Sequence, residues 1–129
     1  MKKVLLLLMC LCFAQISNAE RYRLHYDNDK LRISSETVQE TGTHGYEHTF
    51  IYFDNKTNNT LRVTYKATAN FVRYAKRITK TETIYIKPQG STSVYLAEYA
   101  PDLTYSIIGL YDFELINYAE KKENKEVAW

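Results

Sequence analysis

Leu61-Arg62-Val63-Thr64-Tyr65-Lys66-Ala67-Thr68-Ala69 decides the fold class of this chain. Apolar residues take every second position, and Arg62, Thr64, Lys66 and Thr68 fill the places between. Successive side chains of a strand point to opposite faces, so a period of two predicts a strand with one buried and one wet face. A helix would repeat its apolar positions at three and four residues. This stretch does not.

The same reading extends outward in both directions. Residues 55–59 form a polar turn, and residues 48–54 before it are aromatic and β-branched. There Phe50 and Tyr52 fall on one face, Ile51 and Phe53 on the other, and a strand apolar on both faces is expected to be central. Further upstream, residues 21–26 alternate, Asp27-Asn28-Asp29 reads as a turn, and residues 31–38 follow as a strand. Residues 41–45 hold Gly42 and Gly45 and read as a loop.

Downstream, residues 83–87 and 93–96 flank Pro88-Gln89-Gly90-Ser91. Pro presets φ and Gly accepts a positive φ, so this reads as a hairpin turn with Tyr85 opposite Tyr95. Residues 104–116 make a long run in which Tyr105, Ile107, Gly109, Tyr111, Phe113 and Leu115 share a face, with a bulge or bend expected at Gly109. Residues 70–80 are ambiguous. Phe71, Tyr74, Ala75 and Ile78 follow helical spacing after Asn70 as N-cap, whereas a strand would put Lys76 and Lys80 beside Val72, Tyr74 and Ile78. A short helix or irregular crossover is the expectation there.

Six to eight strands with turns between them predict an all-β chain, a single β-sandwich of roughly seven strands. The polar turn at 55–59 with Leu61-Arg62-Val63-Thr64-Tyr65, then Ile84-Tyr85-Ile86-Lys87-Pro88-Gln89-Gly90-Ser91 and Val94-Tyr95-Leu96, resembles the central hairpins of immunoglobulin-like and fibronectin type III-like domains. The resemblance covers about a third of the chain. It implies two packed sheets and the habit such domains have of serving as binding or assembly modules. It carries over no functional residue, and the cysteine pair and buried Trp of antibody domains are missing.

The N-terminus reads separately. Lys2 and Lys3, an apolar run from Val4 to Phe13 and the small residues Ser17-Asn18-Ala19 have the order of a secretory signal peptide, 1–19. The apolar run is about half the ~20 residues of a membrane-spanning helix, so no anchor is expected after cleavage. Neither Cys10 nor Cys12 follows the small residue that lipoprotein processing needs. Both cysteines leave with the leader, so the remaining 110 of 129 residues are cysteine-free. That length suits one domain, 20–118, with a charged tail at 119–129 expected to fray. A lysine-led leader and no disulfides favour a bacterial envelope protein, periplasmic or extracellular. In such a source the glycosylation sequons at Asn55 and Asn58 are simply a turn.

Charge excludes one function class. Without Lys2 and Lys3, 15 of the 17 basic side chains remain against 15 acidic ones. A formally neutral domain gives no global attraction for nucleic acid.

Catalytic groups are scarce. Beyond the leader the chain has no cysteine, no Gly-x-Ser-x-Gly elbow and no Gly-rich phosphate loop. His44-Gly45-Tyr46-Glu47-His48 matches H-x-x-E-H, a zinc-protease pattern that needs both histidines one helical turn apart with Glu beside the metal. In a strand the two would lie about 13 Å apart with Glu47 on the opposite face. The reading is a loop with two incidental histidines: no catalytic residue, no metal ligand and no cofactor.

Binding features are stronger. From 55 to 81 lie Lys56, Arg62, Lys66, Arg73, Lys76, Arg77 and Lys80 with no acidic residue. Arg73, Lys76, Arg77 and Lys80 are the candidate anion- or partner-binding residues, for an acidic polysaccharide, a lipid headgroup or an acidic protein face. Twelve tyrosines suit strands, and they also suit binding faces because each pairs a large apolar ring with a polar tip. The expected function is an exported, non-enzymatic β-sandwich binding or assembly module that meets an envelope or extracellular protein through tyrosine-bearing faces or a sheet edge. The alternative is a carbohydrate- or anion-binding accessory module using the basic 62–80 segment.

Overall fold

The computed structural model describes residues 22–39, 47–103 and 107–121. Seven strands fill them: β1 (Tyr22–Asp27), β2 (Leu31–Gln39), β3 (Glu47–Asn55), β4 (Thr60–Phe71), β5 (Lys76–Ile86), β6 (Ser91–Tyr95) and β7 (Ile107–Lys121). Two single 3-10 turns, Val72–Tyr74 and Leu96–Tyr99, are the helical residues among those described. The expected leader at 1–19 and loop at 41–45 lie outside the described residues.

Strand pairing links all seven strands into one sheet, in the order β1-β2-β3-β7-β4-β5 with β6 on the side of β3, and that sheet folds over into two layers. β3 pairs antiparallel with β2 from Leu31↔Asn55 to Gln39↔Glu47, and along its other edge with β6 from Phe50↔Tyr95 to Asp54↔Ser91. β1 continues that layer beyond β2. In the second layer β4 lies between β5 and β7, antiparallel to both. The layers join through a short parallel contact, Glu47↔Ile107 and His48↔Ile108. Across the interior Phe53 of the first layer meets Tyr65 and Phe113 of the second, with ring centroids 5.0 and 6.4 Å away. The architecture is all-β and sandwich-like, as the alternation predicts.

Both strands expected to be apolar-faced supply the core. Leu61, Val63, Tyr65, Ala67, Ala69 and Phe71 of β4 are fully buried, opposed by Leu31, Ile33, Ile51 and Phe53. Burying a side chain of the larger kinds contributes roughly 1.5–3 kcal/mol, so this seam supplies much of the drive to fold.

Several sequence expectations change. Residues 70–80 contain one 3-10 turn, Val72–Tyr74, closed by Ala75, and the rest is strand: β4 and β5 form a long hairpin paired from Leu61↔Ile86 to Phe71↔Lys76. The ladder satisfies every second backbone group of both strands, which outweighs the helical spacing of Phe71, Tyr74, Ala75 and Ile78. Pro88-Gln89-Gly90-Ser91 is no hairpin turn. It carries the chain from β5 in one layer to β6 in the other, so Tyr85 opposes Arg62 and Tyr95 opposes Phe50. The turn is tight all the same, closed by Gly90 N–H donating to Lys87 O at 2.9 Å, and the positive φ falls on Gln89 (55°) instead of Gly90. β7 runs through Lys121, three residues into the expected tail, whose remainder lies outside the described residues.

Two side-chain amides, Asn55 and Asn28, tie the turns to the sheets. Asn55 Nδ2 donates to Asn59 O, Ile86 O and Lys87 O at 2.7–3.0 Å. Its Oδ1 accepts from the Thr57 N–H and hydroxyl. Asn55 is therefore a structural clamp, 3% exposed, and its sequon is closed. Asn28 Oδ1 accepts from the N–H groups of Lys30 and Leu31, while its Nδ2 donates to the hydroxyls of Tyr26 and Tyr118.

Candidate functional site

Residues directly opposite across a ladder share a face. The outward face of the β1–β2–β3–β6 layer can therefore be read row by row. One row runs Tyr22, Glu36, Phe50, Tyr95, the next Leu24, Ser34, Tyr52, Ser93, and the third Asp27, Arg32, Asp54, Ser91. Val38 and His48 continue it at the far end. This face turns away from the core that Ile33, Ile51 and Phe53 line, and Tyr22, Leu24 and Val38 are 42%, 53% and 41% exposed.

An aromatic cluster lies at its centre. Phe50 stacks on Tyr95 of the neighbouring strand at 4.6 Å and on Tyr52 of its own strand at 6.2 Å. His48 lies 5.4 Å from the Tyr95 ring, and its Nδ1 is hydrogen-bonded to the Tyr95 hydroxyl at 2.7 Å. Arg32 donates to the Tyr22 hydroxyl, laying that side chain along the sheet. Burial, with the Glu36 carboxylate adding to it, raises the Tyr52 phenol above its ordinary value. The rings of this face make a broad apolar surface tipped with hydroxyls, a composition that suits recognition.

The basic quartet does not form one patch. All four residues are exposed. Arg73 sits in the 3-10 turn, and Lys76 and Lys80 share the inward side of β5 with Ile78 and Glu82. Arg77 takes the opposite side, its guanidinium 3.6 Å from the centre of the Tyr111 ring. Lys80 Nζ lies 5.1 Å from the Tyr99 ring. The outward side of this second layer mixes threonine pairs, Thr64–Thr83 and Thr68–Thr79, with Lys66 opposite Glu114.

Among the described residues the histidines do not converge either. His44 lies outside the described residues, and Glu47 and His48 point to opposite faces of β3. His25 is half-buried on the inward side of β1, where Nε2 meets Ser35 Oγ at 2.7 Å and the ring lies 4.9 Å from Phe113. Burial, then the Arg23 charge, lowers its pKa. Among the described residues no three His, Cys, Asp or Glu side chains converge to hold a metal ion, and no helix is long and apolar enough to cross a membrane.

A buried phenol pair lies under β5. Tyr65 donates to Glu82 Oε2 at 3.2 Å, and burial raises the pKa of Tyr65 and pushes that of Tyr99 up to about 12.

Sequence reasoning paired Phe50 with Tyr52 but missed Tyr95 and His48. His48, Phe50 and Tyr52 at alternate positions were the available signal. The register of β6 on β3, about forty residues away, completes the cluster. The chain matches no known protein family, no curated protein and no solved structure.

Proposed function

We propose that this chain is an exported, non-enzymatic binding module of the bacterial cell envelope that holds a protein partner against the outward face of its β1–β2–β3–β6 layer. The observation that carries this reading is the stacked row Tyr52–Phe50–Tyr95 with His48, flanked by the exposed Tyr22, Leu24 and Val38. Stacked rings held by backbone pairing lose little entropy on binding, and aromatic anchors carry a large share of interface energy. Serine and carboxylate neighbours, Ser93, Glu36 and Asp54, supply a polar surround.

Affinity capture from an envelope extract tests it, with wild-type protein and a Phe50→Ser/Tyr95→Ser variant compared by mass spectrometry. One dominant protein retained by the first and lost from the second supports the proposal. Equal recovery from both, or recovery of glycan or lipid alone, overturns it in favour of anion or carbohydrate binding through the basic 62–80 segment.

A further inference from the structure

The β5 strand carries a stretch that reads nearly the same in both directions: Ile78-Thr79-Lys80-Thr81-Glu82-Thr83-Ile84. About Thr81, Thr79 mirrors Thr83, Ile78 mirrors Ile84, and Lys80 mirrors its charge opposite, Glu82. Among the described residues β5 pairs with β4 alone. Thr79, Lys80, Thr81, Thr83 and Tyr85 are exposed along it. This is an open edge eleven residues long, with alternate N–H and C=O groups presented outward.

We propose that a second copy of this chain occupies that edge, the two β5 strands pairing antiparallel about a two-fold axis through Thr81. Because alternate residues of an edge strand present their backbone groups outward, facing residues must have the same parity. An isologous pair therefore centres on a residue. Centred on Thr81, Lys80 faces the partner's Glu82 and Glu82 faces the partner's Lys80. Ile78 faces Ile84 on the same inward side. On the outward side Thr81 meets its own copy, Thr79 meets Thr83, and Arg77, which lies over the Tyr111 ring of its own chain, comes opposite Tyr85.

Moving the axis by one residue opposes Lys80 to Lys80 or Glu82 to Glu82. Lysines on an edge commonly deter pairing. Here they deter the neighbouring registers and favour the central one. The Tyr65 hydroxyl, donating to Glu82, and the Tyr99 ring beneath Lys80 hold both charges at the edge. The association joins two β5–β4–β7 layers into one continuous sheet and leaves the aromatic face of the other layer untouched.

Sedimentation equilibrium of the purified protein over a wide concentration range tests it, with circular dichroism checking that each variant is folded. Wild type is expected to show a monomer–dimer equilibrium. Lys80→Glu and Glu82→Lys each replace two attractive pairs with two repulsive ones and should weaken association about tenfold or more. An equimolar mixture of the two variants restores both attractive pairs and should associate like wild type. If Glu82→Lys fails to fold because Tyr65 loses its acceptor, the exposed axis gives a second pair. Thr81→Asp and Thr81→Lys should each dissociate, and their mixture should associate. A wild type that stays monomeric, a dimer indifferent to these reversals, or mixtures that fail to associate would overturn the proposal.

Discussion

Asn55 shows how much one side chain decides. Its amide satisfies three carbonyls from two separate connections, and its oxygen holds the turn after β3. Asn55→Asp keeps the shape but faces those carbonyls with another acceptor, so urea unfolding should show a loss of about 2–4 kcal/mol. Asn58→Asp, on an exposed residue, should cost a few tenths at most. His25 makes a pH-dependent contribution. Its folded pKa lies below the ordinary 6.5, so as pH falls the unfolded chain takes up the proton first. The stabilisation is therefore full above the ordinary value and is lost as pH falls from there towards the depressed one. Unfolding midpoints measured from about pH 8 down to 5 should fall more steeply for wild type than for His25→Gln. Neither role was legible in the sequence, where Asn55 belonged to a generic polar turn and His25 to a strand of unknown partner. Both depend on which distant backbone comes alongside.

At the scale of elements, local pattern was informative wherever a strand ran without interruption. Alternation in β4 named its buried face residue by residue. It failed in β7, where register shifts leave Tyr111 and Ile116 unpaired and reverse the parity twice. Ile108, Leu110, Phe113, Leu115 and Tyr118 therefore face the interior, and neither shift falls on Gly109. The β4–β5 hairpin contains Ala75 at φ 49°, ψ 41°, a left-handed conformation that costs an L-residue roughly 1–2 kcal/mol. Ala75→Gly removes that cost and adds unfolded-state freedom, so a net gain of about 0.5–1 kcal/mol is expected in thermal unfolding. Gln89 is the instructive contrast. It also has a positive φ, but its Nε2 donates to Lys56 O and Asn58 Oδ1, so Gln89→Gly should yield no comparable gain.

For the whole molecule, the sandwich stands on contact between the layers, centred on Phe53, Tyr65 and Phe113. Phe53→Ala should cost about 3–5 kcal/mol in chemical denaturation. The same two-layer arrangement separates the surfaces. One layer presents the aromatic face, and the other carries the basic residues on both sides of an open edge. Composition revealed the tyrosines and the basic run. It did not show that Tyr95 completes a stack on Phe50, or that Arg77 turns away from Lys76 and Lys80, because strand order and register are long-range facts. Partner binding on the aromatic face is tested by photo-cross-linking in envelope extract with a benzoylphenylalanine placed singly at Tyr52, Tyr95, Thr64 or Tyr111. One protein adduct is expected from the Tyr52 and Tyr95 positions and none from the other two. Adducts from Thr64 or Tyr111 alone, or from no position, would contradict it.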